Sequence, residues 1–299
     1  MPFYASAQFI AEAIESVRAQ SFQEWELLLC DDGASDGSTL IARGYAELDP
    51  ARVRWLEHTG HENRGASATR NLGITQARGD LIAFLDADDV WLPRKLEEQV
   101  ALLDANREAD ALCGSTQFWF GWTARPEDAR LDHVVRIGPH DGALVPPPEL
   151  LIRMLLGQIA VPCTCSLIVR SELVRRVGGF EESFRSVFTD QAFYAKLFRE
   201  ATVLVKDDVW DRYRQQPGSS VAIAERAGEL TSTRLRYLRW FRQYLAARGD
   251  RDERLRRALD LAIWRVEHPR AASMAARWRR AVRRLRSAMG SALHVSTSR

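Results

Sequence analysis

The sequence predicts an α/β fold, with a Rossmann-like, mostly parallel sheet flanked by helices and a helical extension at the carboxyl end. Short apolar runs of strand length alternate with segments of helical periodicity through about residue 110, as they do in right-handed βαβ units. From about residue 224 the pattern is almost wholly helical. These two observations predict a sheet domain over residues 1–222 and a helical region over residues 223–299.

Each element of the first 110 residues follows from a local pattern of apolar side chains. In chain order the patterns predict a helix over residues 5–20, strands over 25–30 and 53–58, a helix over 66–77, a strand over 81–85 and a helix from Pro93 to about Asn106. The strand over 25–30 runs into Asp31-Asp32, and the strand over 81–85 runs into Asp86-Ala87-Asp88-Asp89. Because ligands of such sheets bind beyond the carboxyl ends of the strands, we expect both acidic clusters to face one ligand site.

The second half of the sheet domain is less regular. In chain order the patterns predict a strand over residues 111–120, a proline-rich loop region over 123–148, a short helix over 148–156, a strand over 164–170, a helix over 190–199 and a strand over 202–205. Cys163 and Cys165 alternate along a predicted strand, which sends their thiols to opposite faces. We therefore interpret the two cysteines as core residues rather than as a metal or redox pair.

Composition restricts the class of protein. Of the 299 residues, 46% are hydrophobic and 27% are charged, values close to the average for folded soluble chains. They exclude a disordered protein, a collagen-like fibre and a disulfide-dense secreted module. No apolar run reaches the ~18 residues of a spanning helix, residues 1–20 lack a signal peptide pattern, and the four cysteines show no paired spacing. The expected location is the cytoplasm, or a peripheral position at the inner face of the cell membrane.

The end of the chain is strongly basic. Residues 270–299 contain eight arginines and no acidic residue, although the net charge of the whole chain is only +2. Helical spacing would place Trp278, Val282, Leu285 and Met289 on one face of this segment. Such a helix can lie on an anionic membrane or pack on the preceding domain with its arginines in solvent, and we weigh both equally. The apolar face argues against nucleic acid as the partner.

The two acidic clusters are the first candidate for chemistry. Several carboxylates that face one cleft repel one another, and burial raises the cost of their charge. A divalent cation with oxygen ligands, Mg²⁺ or Mn²⁺, would relieve that repulsion and would bring phosphate oxygens with it. The alternative interpretation is that Asp88 and Asp89 cap the helix that follows.

Arg70 is the second candidate, because it lies in a predicted helix between the two acidic strand ends. A guanidinium there matches the oxygens of a diphosphate; the alternative is a surface arginine paired with a neighbouring acid. The sequence has no Walker loop and no Gly-x-Gly-x-x-Gly or His-Glu-x-x-His motif. Their absence argues against P-loop kinases, ordinary dehydrogenases and zincins.

Seven stretches, in order and in register, resemble the family-2 glycosyltransferases of the GT-A fold. They are Pro2-Phe3-Tyr4 and residues 25–38, 63–71, 79–89, 178–182, 189–194 and 213–218. The resemblance covers residues 2–220. It implies an inverting hexosyltransferase that moves a sugar from a nucleoside-diphosphate sugar, with a UDP-sugar favoured, to a hydroxyl of a glycan or lipid-linked acceptor in bacterial cell-envelope polysaccharide synthesis.

The resemblance also assigns roles to individual residues. Asp88 of the Asp86-Ala87-Asp88 element, which matches the family's DXD motif, is the implied ligand of Mg²⁺ or Mn²⁺. Asp190 matches the catalytic base, and its alternative role is a helix N-cap. The residues implied to contact the nucleotide sugar are Pro2, Tyr4, Asp31, Asp32, Arg70, Asp86 and Ala87, and the Gly178-Gly179 turn is placed on the acceptor side.

Two departures from the family pattern keep other interpretations open. The family has an apolar strand directly before the Pro-x-Tyr element, whereas this sequence begins at Met1-Pro2. Gln216 stands where many relatives have a histidine that approaches the metal or diphosphate, and it remains a candidate for that contact. The alternatives are a catalytically inactive relative that binds a nucleotide sugar or a partner protein, and a sugar nucleotidyltransferase, which would need a phosphate loop that we do not find.

Overall fold

The computed structural model describes residues 1–138 and 141–274. The chain forms two compact units, Met1–Thr233 and Arg234–Arg299, whereas the sequence predicted a division after residue 222. The boundary falls within the helix Leu230–Ala247. From residue 275 onward, the predicted basic helix lies outside the described residues, so its placement remains a prediction.

Strands and helices alternate along most of the first unit, and the described residues beyond it, up to residue 274, contain helices but no strand. The strands are Pro2–Phe3 (β1), Leu27–Asp31 (β2), Val53–Glu57 (β3), Leu81–Ala83 (β4), Val90–Trp91 (β5), Ala111–Trp119 (β6), His133–Val135 (β7), Ala143–Val145 (β8), Ile168–Arg170 (β9) and Val203–Arg214 (β10). The helices are Ile10–Arg18 (α1), Ser38–Leu48 (α2), Ala66–Gln76 (α3), Lys95–Ala105 (α4), Pro126–Ala129 (α5), Glu149–Leu156 (α6), Ser171–Arg176 (α7), Thr189–Leu197 (α8), Ser220–Arg226 (α9), Leu230–Ala247 (α10) and Glu253–Glu267 (α11).

The strands form two sheets. The first is parallel, in the order β1-β2-β3, and the second is mixed, in the order β4-β9-β6-β10-β5, with β7 on β6 and β8 on β10. The predicted α/β class is confirmed, but the mostly parallel character holds only for the first sheet. In the second sheet β10 and β6 pair in parallel, while β5, β7, β8 and β9 join by antiparallel pairing.

Helix α1 shows why the first sheet forms where it does. Its apolar residues recur at helical spacing and are buried on one face. They pack in one cluster with residues of β2 and β3, and the members are Ile10, Ala13, Ile14, Val17, Leu27, Leu29 and Val53. The strand ends that follow this core are therefore held in fixed positions, and they carry the acidic residues of the site.

Two strands differ from the prediction. Residues 164–166 form a short 3₁₀ turn, and the strand begins only at Ile168. Strand β10 continues to Arg214, far beyond the predicted end at residue 205. The polar residues 206–208 interrupt the apolar pattern of β10, so the pattern alone ends the strand early. In the structure, β10 pairs with β6 on both sides of register shifts near Val209. Tertiary pairing has overridden local propensity at this strand.

The start of the chain belongs to the first sheet. Pro2 and Phe3 form the short strand β1, which pairs in parallel with Cys30 and Asp31 of β2. The amino group of Met1 continues this pairing, because it donates a hydrogen bond of 2.9 Å to the carbonyl oxygen of Leu28.

A large cavity, which we call the β2–β4 cavity, lies behind β1. Its volume is about 550 Å³, and its walls include Leu28 and Cys30 from β2, Ile82 from β4 and Phe84.

Two observations concern the absence of a membrane-spanning run and of paired cysteines that the sequence predicted. Within the part of the chain that the structure describes, no helix is both long enough and apolar enough to cross a bilayer. The cysteines Cys30, Cys113, Cys163 and Cys165 are all free thiols.

Candidate active site

A cavity of about 1020 Å³ gathers the predicted site residues from distant parts of the first unit. Residues of the loop after β4, of α3, of α8 and of the segment after β10 line it together with the start of the chain. The predicted residues that line it are Pro2, Tyr4, Asp32, Arg70, Asp86, Ala87, Asp88, Asp190 and Gln216. Asp31 is the predicted residue that this lining does not include.

Asp31 is turned away from the cavity and is fully buried. Its carboxylate accepts hydrogen bonds from the backbone N–H of Ala34 at 2.8 Å, from Thr39 Oγ1 at 2.6 Å and from Trp55 Nε1 at 3.4 Å. These bonds hold the turn between β2 and α2. The structure does not support the implied contact between Asp31 and a nucleotide, because both carboxylate oxygens are engaged inside the fold.

Asp32 lines the cavity and organises the start of α3. Its Oδ1 accepts hydrogen bonds from the backbone N–H groups of Arg64 and Gly65 and from Thr69 Oγ1, at 2.7 to 3.0 Å. Gly65 has a φ of +89°, and a Cβ there would lie 2.9 Å from the Cβ of Arg185. A side chain at position 65 would therefore displace the backbone amides that bind Asp32.

Arg70 is buried rather than exposed, which excludes the surface interpretation. Its Nη2 lies 2.5 Å from Asp86 Oδ1, and its guanidinium lies over the ring of Phe180 at 5.1 Å. The residue is only 8% exposed. This cation lies at the cavity wall, between helix α3 and residues 86–89, which we call the acidic loop.

Asp88 lies at the acidic end of the cavity. Burial and the neighbouring negative charge of Asp86 raise the pKa of the Asp88 carboxyl. The amide of Gln216 donates a hydrogen bond of 2.7 Å to Asp88 Oδ2, so the structure brings together the two residues that the sequence placed 128 positions apart.

The helix-cap interpretation of Asp88 and Asp89 is wrong. Helix α4 begins at Lys95, and its N-cap residue Arg94 makes no side-chain capping bond. Asp89 instead accepts hydrogen bonds from the backbone N–H of Arg214 at 2.9 Å and from Cys165 Sγ at 2.8 Å. Asp89 therefore fixes the acidic loop to β10.

The chemistry of the donor set fits a hard divalent cation. Asp86 and Asp88 present carboxylate oxygens to the same cavity, and oxygen is the ligand that Mg²⁺ and Mn²⁺ prefer. The pKa of Asp88 is raised by its burial and by the neighbouring negative charge of Asp86. A divalent cation would stabilise the ionised carboxylates.

Asp190 lies far along the sequence from the acidic loop, as the second residue of α8. The N-cap of this helix is Phe188, with a φ of +61°, so Asp190 does not occupy the capping position. Burial raises the pKa of the Asp190 carboxyl. A carboxyl group at a cavity wall with a raised pKa has the character of a general base.

Segment 180–185, which precedes α8 and Asp190 in the chain, is hydrogen-bonded to α3. Ser67 Oγ donates to the carbonyl oxygen of Phe184 at 2.6 Å. Asn71 bonds the backbone of Phe180 twice, as donor at 3.0 Å and as acceptor at 2.7 Å. The face of α3 that carries Arg70 and the chain that leads to Asp190 are therefore joined directly.

Cys163 and Cys165 correct the prediction that their thiols point to opposite faces. Because residues 164–166 form a 3₁₀ turn rather than a strand, both sulfurs and one oxygen of Asp89 lie within 4.8 Å of one another. Burial contributes to a raised pKa of each thiol. Cys165 contacts the acidic loop through its hydrogen bond to Asp89.

Arg214 is a site residue that the sequence patterns did not single out. Its Nε donates to the carbonyl oxygen of Asp88 at 2.6 Å, and its Nη2 lies 2.5 Å from Glu12 Oε2. The guanidinium also lies over the rings of Trp119 and Phe9, at 4.5 and 4.6 Å. Arg214 lies inside the stretch 213–218 that resembles the family, and that position could have identified it.

Known proteins resemble this chain in sequence and in fold. The sequence model of the family described as "Glycosyl transferase family 2" matches residues 1–178. The UDP-Glc:alpha-D-GlcNAc-diphosphoundecaprenol beta-1,3-glucosyltransferase WfgD of Escherichia coli is 38% identical over 106 residues, which are 36% of this chain and 40% of that protein. The matched region thus spans about two fifths of the length of this relative.

Two solved structures share the fold. The crystal structure of S. aureus TarS 1-349 in complex with UDP-GlcNAc matches with a TM-score of 0.68 and 18% identity, over 90% of this chain and 71% of that one. The mannosyltransferase PcManGT from Pyrobaculum calidifontis, in complex with GDP-Man and Mn²⁺, matches with a TM-score of 0.54 and 20% identity, over 92% and 74%.

Proposed function

Since the chain belongs to glycosyl transferase family 2, and is therefore a glycosyltransferase, we propose that it transfers a hexose from a nucleoside-diphosphate sugar to a hydroxyl group, with inversion. The observation that carries the proposal is the convergence of Asp88, Arg70 and Asp190 on one cavity from three separate elements. The favoured donor is a UDP-sugar, and the favoured acceptor is a glycan or a lipid-linked sugar. The name of the relative WfgD, for example, gives a UDP-sugar as its donor and a sugar linked to diphosphoundecaprenol as its acceptor.

The donor half of the proposed site is built by the start of the chain and by α3. Pro2, Tyr4 and Asp32 line the cavity on the side proposed for the nucleoside, with Asp86 near the ribose, and Arg70 is the proposed contact of the diphosphate. The guanidinium of Arg70 can bind phosphate oxygens, because its pairing with Asp86 leaves further N–H donors. These residues orient the donor so that its anomeric carbon faces Asp190.

The proposed metal ligand is Asp88, supported by Asp86. A bound Mg²⁺ or Mn²⁺ would supply positive charge for the departing nucleoside diphosphate. Gln216 positions the Asp88 carboxylate through its amide hydrogen bond, and Arg214 holds the same loop by its main chain.

Asp190 is the proposed base. Its carboxylate removes the proton from the acceptor hydroxyl while that oxygen bonds to the anomeric carbon and the bond to the diphosphate breaks. No protein nucleophile takes part, so one displacement inverts the anomeric configuration.

A panel assay tests the function directly. We expect release of free nucleoside diphosphate from one donor among UDP-glucose, UDP-GlcNAc, UDP-galactose, GDP-mannose and dTDP-sugars when Mn²⁺ is present, and loss of release with EDTA. Release of pyrophosphate from a sugar phosphate and a nucleoside triphosphate would instead indicate a nucleotidyltransferase. Tight donor binding with no release, for any acceptor fraction tried, would indicate the inactive relative.

Gln216 gives a sharper test of the metal site. Replacing Gln216 by His puts an imidazole, a stronger ligand than an amide, next to Asp88. We expect Gln216→His to tighten Mn²⁺ binding roughly tenfold in the presence of UDP, as measured by calorimetry. Gln215→His is the matched control, because Gln215 does not line the cavity. An equal change in both variants contradicts the assignment.

The proposal extends to the location of the reaction. A lipid-linked acceptor would give purpose to the peripheral membrane contact predicted for residues 270–299, whose arginines suit an anionic lipid surface at the inner face of the cell membrane. Residues 275–299 lie outside the described residues, so this contact remains a prediction from the sequence.

A further inference from the structure

Asp89, Cys163 and Cys165 bring two sulfurs and one carboxylate oxygen together inside the first unit. The three ligand atoms all lie within 4.8 Å of one another, and Asp89 Oδ2 is 2.8 Å from Cys165 Sγ. In a tetrahedral zinc site, bonds of about 2.0 Å to oxygen and 2.3 Å to sulfur place neighbouring ligand atoms about 3.5–3.8 Å apart. The three atoms are therefore close enough to bind one cation after small side-chain movements.

The kinds of ligand atom in this group select the metal. Two sulfurs and one oxygen suit Zn²⁺, which binds cysteine thiolates and carboxylates, whereas Mg²⁺ prefers oxygen ligands alone. Asp86 and Asp88, in contrast, present only oxygen to the cavity. The chain thus carries two donor sets of different chemistry on either side of the acidic loop, one for a hard cation and one for a thiophilic cation.

The backbone holds these ligands in place. Cys165 lies within the 3₁₀ turn of residues 164–166, and the amide of Gln99 donates a hydrogen bond of 2.8 Å to the carbonyl oxygen of Ser166 in that turn. The second oxygen of the Asp89 carboxylate accepts the backbone N–H of Arg214 at 2.9 Å. Hydrogen bonds of this kind orient metal ligands and tune their affinity.

A buried cation lies near the same group. Two thiolates and one carboxylate carry one negative charge more than a divalent cation neutralises. Lys95 is fully buried, and its Nζ donates to Gln99 Oε1 at 2.5 Å and to the carbonyl oxygen of Ser166 at 3.4 Å. Burial lowers the pKa of Lys95, and negative charge on Asp211 and on the two thiols raises it again. The ammonium of Lys95 therefore favours ionised thiols beside it.

The active-site cavity gives a cation access to the group. Cys163 is half-buried and lines the cavity of about 1020 Å³, whereas Cys165 and Asp89 are fully buried. A cation that enters the cavity meets Cys163 first and then the two inner ligands. Because zinc takes four ligands in a tetrahedral site, water from the cavity can complete the set.

We propose that Asp89, Cys163 and Cys165 bind one Zn²⁺ ion, at a site separate from the one proposed at Asp88. Each thiol releases its proton to solvent as its sulfur binds the ion, and bonds to the ion replace the hydrogen bond between Cys165 and Asp89. The ion links the acidic loop to the 3₁₀ turn of residues 164–166 and stabilises both. It takes no part in sugar transfer, so the inference does not depend on the proposed reaction.

Cobalt binding to the full chain, kept reduced, tests the site. Co²⁺ bound by thiolates gives a charge-transfer absorption band in the near ultraviolet, which Co²⁺ bound by oxygen ligands does not give. With excess Mg²⁺ present, we expect this band to saturate at one Co²⁺ per chain and to disappear when Zn²⁺ displaces the cobalt. Asp88→Asn should keep the band, because Asp88 belongs to the other donor set. Absence of the band in the parent protein overturns the proposal.

Cysteine variants locate the ligands. Loss of a partner that only orients a metal ligand weakens binding about 10–100-fold, so loss of a ligand in Cys163→Ser or Cys165→Ala should weaken Co²⁺ binding at least as much. Cys113→Ala is the matched control, because Cys113 is a buried free thiol of β6. Zn²⁺ should raise the thermal midpoint of the parent and of Cys113→Ala, but not that of Cys163→Ser. Equal cobalt affinity in Cys163→Ser and Cys113→Ala contradicts the assignment.

Discussion

Replacing Asp88 by Asn is expected to lower kcat by at least about 10³-fold, because several kcal/mol of charge stabilisation for the leaving diphosphate disappear with the metal ligand. The fold should persist. Burial and Asp86 raise the pKa of the Asp88 carboxyl, which means that its ionised form costs stability above its ordinary pKa, and the neutral amide removes that cost. Rates of nucleoside diphosphate release and thermal midpoints, measured together, check both statements.

The matched control for this prediction is Glu108→Gln, which removes one exposed carboxylate away from the cavity. It should retain full activity. Normal turnover of EDTA-treated protein, or of Asp88→Asn itself, would show that Asp88 holds no catalytic metal.

Asp190→Asn is expected to lower kcat by roughly 10²–10⁴-fold, the range for loss of a general base, with the donor Kd nearly unchanged. The amide keeps the shape of the side chain but cannot accept the acceptor's proton. Donor binding is carried by other walls of the cavity, so calorimetry with UDP should hardly distinguish the variant from the parent. Wild-type turnover in the variant would refute the role of Asp190 as base.

The pH profile gives a second measure of Asp190. Burial raises the pKa of its carboxyl above 3.8, and only the ionised form can act as a base. In the parent, kcat/KM should therefore rise with pH through that raised pKa and then level off, with an acid limb above the range of an ordinary aspartate. The residual activity of Asp190→Asn should lack this limb.

Sequence patterns singled out the acidic loop and Asp190, because Asp88 and Asp190 belong to short local motifs, and both residues line one cavity. They did not predict the partners that fix those residues. The contacts of Asp89 with Cys165 and Arg214 join positions 76 and 125 residues apart, and only the folded chain brings them together.

The errors have a similar origin. Asp31 and Asp32 are equivalent in a linear pattern, but alternate residues of a strand point in opposite directions, so one faces the fold and the other the cavity. The extent of β10 depends on its partner β6 rather than on its own polar residues. The α/β class, by contrast, followed from the alternation of apolar runs alone.

The fastening of segment 180–185 to α3 has a consequence for engineering. Because Phe180 and Phe184 bond directly to the helix that carries Arg70, a redesign of this segment would also shift Arg70 at the cavity wall. Ala160 and Val161 line the same cavity from the loop after α6, and substitutions there leave the hydrogen bonds between segment 180–185 and α3 in place.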